Sequence, residues 1–210
     1  MFKFSSLRFR IGLIGLLLLL LATPASAHHA MDGQVPTNAL QGFLSGLAHP
    51  VIGIDHLAFV VAAGLLAVTK RQGIWIPIAF VLAALGGTGL HLMGLDLPAT
   101  EFMIAGSVLG FGILLALPQS PNLAVMIGLA ALAGIFHGYA YGEAIVGAEM
   151  NPLMAYLAGF TVVQLAIALL AAKVGQLAVR ILDRTPQSLR NAGFVISGLG
   201  AAFMLSRLGL

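Results

Sequence analysis

The sequence contains no cysteine, which excludes disulfides and thiolate metal ligands; any metal must be held by His, carboxylate, Met or backbone oxygen. Charge is scarce too. Ten Lys and Arg with seven Asp and Glu make up 8% of the 210 residues, against roughly 25% in a soluble domain. That is too little polar surface to cover a water-soluble globule. No basic run with interleaved aromatics occurs, which sets nucleic acid aside. No G-x-x-x-x-G-K-[ST] phosphate loop occurs either, which argues against direct ATP drive by this chain.

What is present is apolar. Hydrophobic residues make up 60% of the chain, and the mean hydropathy is +1.03. The expected class is an all-α integral membrane protein. Residues 1–27 read as a secretory signal peptide: Lys3, Arg8 and Arg10, then an apolar core, then Ala25-Ser26-Ala27 as a small-residue cleavage site. The remainder, 28–210, reads as one six-helix transmembrane domain. Its apolar segments run over about 38–68, 74–95, 100–117, 122–146, 152–172 and 189–208. The fifth carries an amphipathic extension to about residue 182. Pro50 lies inside the first segment, which is longer than one span. Proline removes a helical donor and disfavours helical geometry at His49, so a break with the main helix starting near Pro50 is expected. Lys70, Arg71, Lys173, Arg180, Arg184 and Arg190 fall in loops on one side, and Asp96, Glu101 and Glu149 on the other. The positive-inside rule then puts both mature termini outside, as a cleaved leader requires. A bacterial inner membrane suits both features.

Two stretches place costly groups inside the apolar runs. His49-Pro50-Val51-Ile52-Gly53-Ile54-Asp55-His56 holds two imidazoles and a carboxylate, and His137 precedes Glu143 by the same i, i+6 spacing as His49 precedes Asp55. Ionisable residues within spans are expensive and mark function by default. The stretches lie 88 residues apart, in the first and fourth segments, so they cross the membrane in opposite directions. That is the pattern of a 3+3 inverted repeat with a site between its halves. Antiparallel packing would set His49 level with Glu143, and Asp55 and His56 level with His137. The resulting candidate ligand set is His49, Asp55, His56, His137 and Glu143. Imidazole with carboxylate suits a divalent first-row metal, with zinc, copper, iron and nickel all open on this ligand set. His28 and His29, at the expected mature N-terminus, add imidazoles beside a free amine. His91, near the outer end of the second segment, either joins the access path or caps a carbonyl. Tyr139 and Tyr141 either orient ligands or sit as interfacial aromatics. Met93 and Met103 read as core filler before thioether ligands, and Glu101 suits a helix N-terminus.

These segments carry a resemblance. The H-x₅-D-H run 49–56, and Phe136-His137-Gly138-Tyr139-Ala140-Tyr141-Gly142-Glu143-Ala144, resemble the HupE/UreJ family of nickel and cobalt permeases. The second motif departs from the family's F-H-G-x-[AV]-H-G-x-E. Tyr141 stands where the pattern has His, Glu143 comes one position early, and Ala144 takes the acidic place. The resemblance implies a secondary permease for nickel or cobalt, linked to hydrogenase or urease maturation, with metal as cargo and no resident cofactor. Two rival classes stay open. One is an intramembrane zinc hydrolase assisted by Ser45 or Ser107, although no clear H-E-x-x-H or G-x-S-x-G motif occurs. The other is a metal-binding accessory or sensor protein with a static site.

Overall fold

A computed structural model describes residues 34–182 and 187–210. The expected leader 1–27, together with His28 and His29, lies outside the described residues. Seven helices and no strand occur among those described: α1 (Ala39–Ile52), α2 (Ile54–Ala67), α3 (Trp75–Leu92), α4 (Thr100–Ala116), α5 (Leu123–Glu143), α6 (Met150–Leu182) and α7 (Gln187–Arg207). Asn38 and Asn122 cap α1 and α5, each accepting a backbone N–H three residues on, as short polar side chains do at helix starts.

Four helices (α3, α5, α6 and α7) are long and apolar enough to cross a membrane, and the bent pair α1–α2 makes a fifth. At 17 residues, α4 is about 25 Å long, short of a ~30 Å hydrocarbon core. The expected six segments are therefore all helical, while length supports five of them as spans. The expected extension of the fifth segment is a continuation of α6, which runs for 33 residues.

The break in the first segment falls at Gly53, not at Pro50. Pro50 sits inside α1, and His49 stays helical. The ladder survives because the Gly53 N–H still bonds the His49 carbonyl (3.1 Å). Gly53 then turns extended (φ −71°, ψ 100°), and the chain bends by 80° into α2. A missing donor weakens one rung, whereas a residue leaving helical ψ redirects the axis.

Small residues set the helix pairing. A Cβ on Gly134 or Gly138 would overlap the backbone of Phe80 or Ala84, so α5 and α3 touch and run parallel. Gly42 and Gly46 meet the backbone of Pro152 and Tyr156 in the same sense, making α1 and α6 a second parallel pair. Gly193 and Gly200 meet Ala116 and Leu109, so α7 and α4 run antiparallel. Close approach of this kind replaces the hydrophobic drive that helices lack in lipid. Helix α2 lies at the centre, with Phe59 fully buried and its ring 4.6 Å from Phe80 and 4.5 Å from Phe111.

Charge is sorted by end. Lys70 Nζ donates to Ser120 O, and Arg190 Nε to Ala116 O, gathering three loops at one end. Asp96, Glu101 and Glu143 lie at helix ends of the opposite face, with Arg207 among them.

Candidate metal centre

Three imidazoles meet where α1, α2 and α5 converge. His49 is half-buried on the last turn of α1, His56 is 7% exposed on the first turn of α2, and His137 is fully buried in mid-α5. His56 Nδ1 and His137 Nδ1 stand 2.7 Å apart. The His49 and His56 ring centroids are 5.8 Å apart. Tyr141 packs against both rings, 5.1 Å from His49 and 4.6 Å from His56.

The hydrogen bonds assign the tautomers. Ser107 gives its one hydrogen to Ile104 O (2.7 Å), so it accepts from His137 Nε2–H (2.9 Å). His137 Nδ1 then carries the lone pair, and His56 Nδ1–H donates to it. By the same reasoning, Tyr156 gives its hydrogen to Tyr141 O (2.8 Å) and accepts from His49 Nδ1–H (3.3 Å). That leaves the lone pair of a neutral His49 on Nε2. His49 and His137 are thus each oriented by a hydroxyl behind the ring, the support a metal-ligating imidazole ordinarily has, while His56 is held by His137 itself.

Asp55 lies beside the cluster, 5% exposed. Its Oδ1 accepts the His56 backbone N–H (2.9 Å), and its Oδ2 faces Arg207 Nη2 at 3.9 Å. Glu143 is exposed at the end of α5. Helical geometry explains the difference between the two i, i+6 pairs. At about 100° per residue, a sixth-residue neighbour sits ~120° away from His137, while a seventh returns to its face. The buried seventh residue is Ala144. In the first stretch the bend at Gly53 resets the face, and Asp55 and His56 turn inward together. The expected level pairing of His56 with His137 is present. His49 lies against Tyr141 and Tyr156, and Glu143 stays at the rim.

As the side chains stand, no three His, Asp or Glu residues among those described surround one point closely enough to hold a metal. Two nitrogens on one ion at 2.0–2.1 Å are ~2.9–3.4 Å apart, so parting His56 from His137 by under an ångström would open a two-imidazole seat. His91 packs on Tyr139 (4.5 Å) with its Nδ1 unpartnered. Tyr139 donates to Asp96 (3.3 Å). Lying two positions before Tyr141, it points about 200° away around α5. Both therefore belong to the rim. Met93 is exposed, and Met103 borders lipid-side space beside Gly106. Sequence reasoning missed Tyr156 and Gln164, both fully buried, the latter accepting from Tyr141 (3.3 Å). A lone Gln in mid-span was the available signal.

The sequence profile of one protein family, described as HupE / UreJ protein, matches residues 16–203. The chain belongs to the HupE/UreJ family. Protein HupE of Rhizobium leguminosarum bv. viciae is 33% identical over 190 residues, covering 88% of this chain and 93% of that protein. No solved structure matches. Both HupE/UreJ motifs fall inside the matched stretch, and they are the segments that supply the three imidazoles. Tyr141, one of the departures from the motif, is the ring packed against both His49 and His56.

Proposed function

We propose that this HupE/UreJ protein is a secondary permease that moves a divalent transition-metal ion, nickel or cobalt, across a bacterial inner membrane. The observation that carries the reading is the His56–His137 contact, which joins the two echoing motifs in the middle of an apolar bundle. The cargo ion parts these rings. His137 Nδ1 already presents a lone pair, and His56 turns its donor away to present its own. His49 hands the ion inward past Tyr141, and Asp55 offsets its charge. Glu143 concentrates cations at the rim, and His28 and His29 do so on the outer leader side. Below the pair, Phe59 and Phe80 lie 4.7 and 5.3 Å from His137 and form an apolar constriction toward the Lys70 end. Under this reading such an apolar layer gates the inward path by dewetting.

The packing supports two inverted halves. Exchanging α1–α2 with α5, α3 with α6, and α4 with α7 carries the parallel pair α3–α5 onto α6–α1. It carries the antiparallel pair α4–α7 onto itself. Gly46 and Gly134, each a close-contact position, are 88 residues apart, as are His49 and His137. Under this reading α4 completes six spans, and the delivered metal supplies hydrogenase or urease maturation. A hydrolase has less support, because Ser107 spends its hydrogen on a carbonyl and is not held as a nucleophile by His137.

Radiolabelled nickel and cobalt uptake into proteoliposomes tests the proposal. Saturable uptake by the full chain that falls at least tenfold in His56→Ala and in His137→Ala is expected. Uptake unchanged in both variants would refute the assigned roles.

A further inference from the structure

The end of α7 brings a cation to Asp55, the buried carboxylate beside the imidazole cluster. Arg207, the last residue of α7, pairs closely with Glu101 on the first turn of α4, and its Nη2 also lies 3.9 Å from Asp55 Oδ2. The two contacts are unequal. Glu101 is half exposed and takes the tight contact, while Asp55 is buried and held only at long range. A buried carboxylate with no compensating cation is costly, and a cation of the chain's own supplies that compensation. Arginine stays charged at any physiological pH, so this cation leaves Asp55 by moving, not by losing a proton. Asp55 and Glu101 thus share one guanidinium. The rim therefore keeps a negative surplus that draws a further cation in.

We propose that Arg207 is a tethered cation guarding Asp55, with Glu101 as the latch that holds it aside when a divalent cation enters. The inference rests on the permease reading for its purpose, but on the ion-pair geometry for its form. A dication approaching Asp55 meets the guanidinium at the same oxygen, and like charges exclude one another there. Displacement toward Glu101 relieves the repulsion and keeps Arg207 paired. When the ion moves on to the imidazoles, Arg207 swings back and closes the outer side behind it.

The test compares equilibrium nickel binding and nickel uptake by the full chain in four forms: unaltered, Arg207→Gln, Glu101→Gln and the double variant. Arg207→Gln is expected to bind nickel about tenfold more tightly, or ~1.4 kcal/mol. Glu101→Gln should bind several-fold more weakly, since Arg207 then settles on Asp55. The double variant should match Arg207→Gln, because a latch matters only while there is something to hold. A double variant as weak as Glu101→Gln, or equal binding by all four, overturns the proposal, as does absence of binding in all four. Should Arg207→Gln fail to accumulate, Glu101→Gln decides alone, and unchanged or tighter binding counts against the latch. The two failures separate cleanly. Shifted binding without flux in any form retains the guard and removes the permease, whereas flux with equal half-saturation throughout does the reverse.

Discussion

Tyr156 shows how a residue outside both motifs controls one inside them. Its hydroxyl donates to Tyr141 O and accepts from His49 Nδ1–H, so it fixes both the ring angle and the tautomer of His49. Tyr156→Phe keeps the ring and removes a hydroxyl that bonds two buried groups, which costs ~1–3 kcal/mol. The expected outcome is a modest fall in thermal midpoint and a several-fold rise in the nickel concentration giving half-maximal uptake, with the maximal rate less affected. The imidazoles and Asp55 were legible in the sequence because ionisable groups stand out in an apolar run. Tyr156 was not, because a tyrosine near a span end is ordinarily an interfacial anchor. Glu143 was legible as a residue, but its exposure at the helix end was not, since spacing places a side chain only once the backbone between the pair is known to be straight or bent.

Among the elements, the contact of α3 with α5 positions His137. Thr88 on α3 donates to the Gly138 carbonyl (2.7 Å), one residue from His137, and Gly138 lies directly on the Ala84 backbone. Gly138→Ala forces these helices apart, with an overpacking cost of ~1–3 kcal/mol, and separates His137 from His56. Gly106→Ala is the matched control, because nothing lies within 4 Å of its added carbon. Nickel uptake and thermal stability are expected to fall in the first and stay near the unaltered values in the second. Equal losses in both would show that the helix pairing does not set the site. The helical segments themselves were legible from hydropathy. The Gly53 bend was masked by Pro50, the stronger breaker three residues earlier, because sequence rules weigh the lost donor and not the surviving His49–Gly53 bond.

At the scale of the whole molecule, the account is one of two halves that each contribute an imidazole to a shared ion. The sorted loops, with Lys70 and Arg190 at one end and the acidic rim at the other, were foreshadowed by the distribution of Lys and Arg. The packing that brings α2 against α5 was not, because hydropathy reports which segments are apolar and says nothing of which neighbours they choose. The central claim is that a single cargo ion sits between His56 and His137. Nickel-edge X-ray absorption on the nickel-loaded full chain in lipid nanodiscs tests it most directly. The account predicts one bound nickel per chain with imidazole scattering from at least two rings, reduced by one ring in His56→Ala and again in His137→Ala. Scattering from water and carboxylate oxygen alone, or an imidazole signal untouched by either substitution, would contradict it.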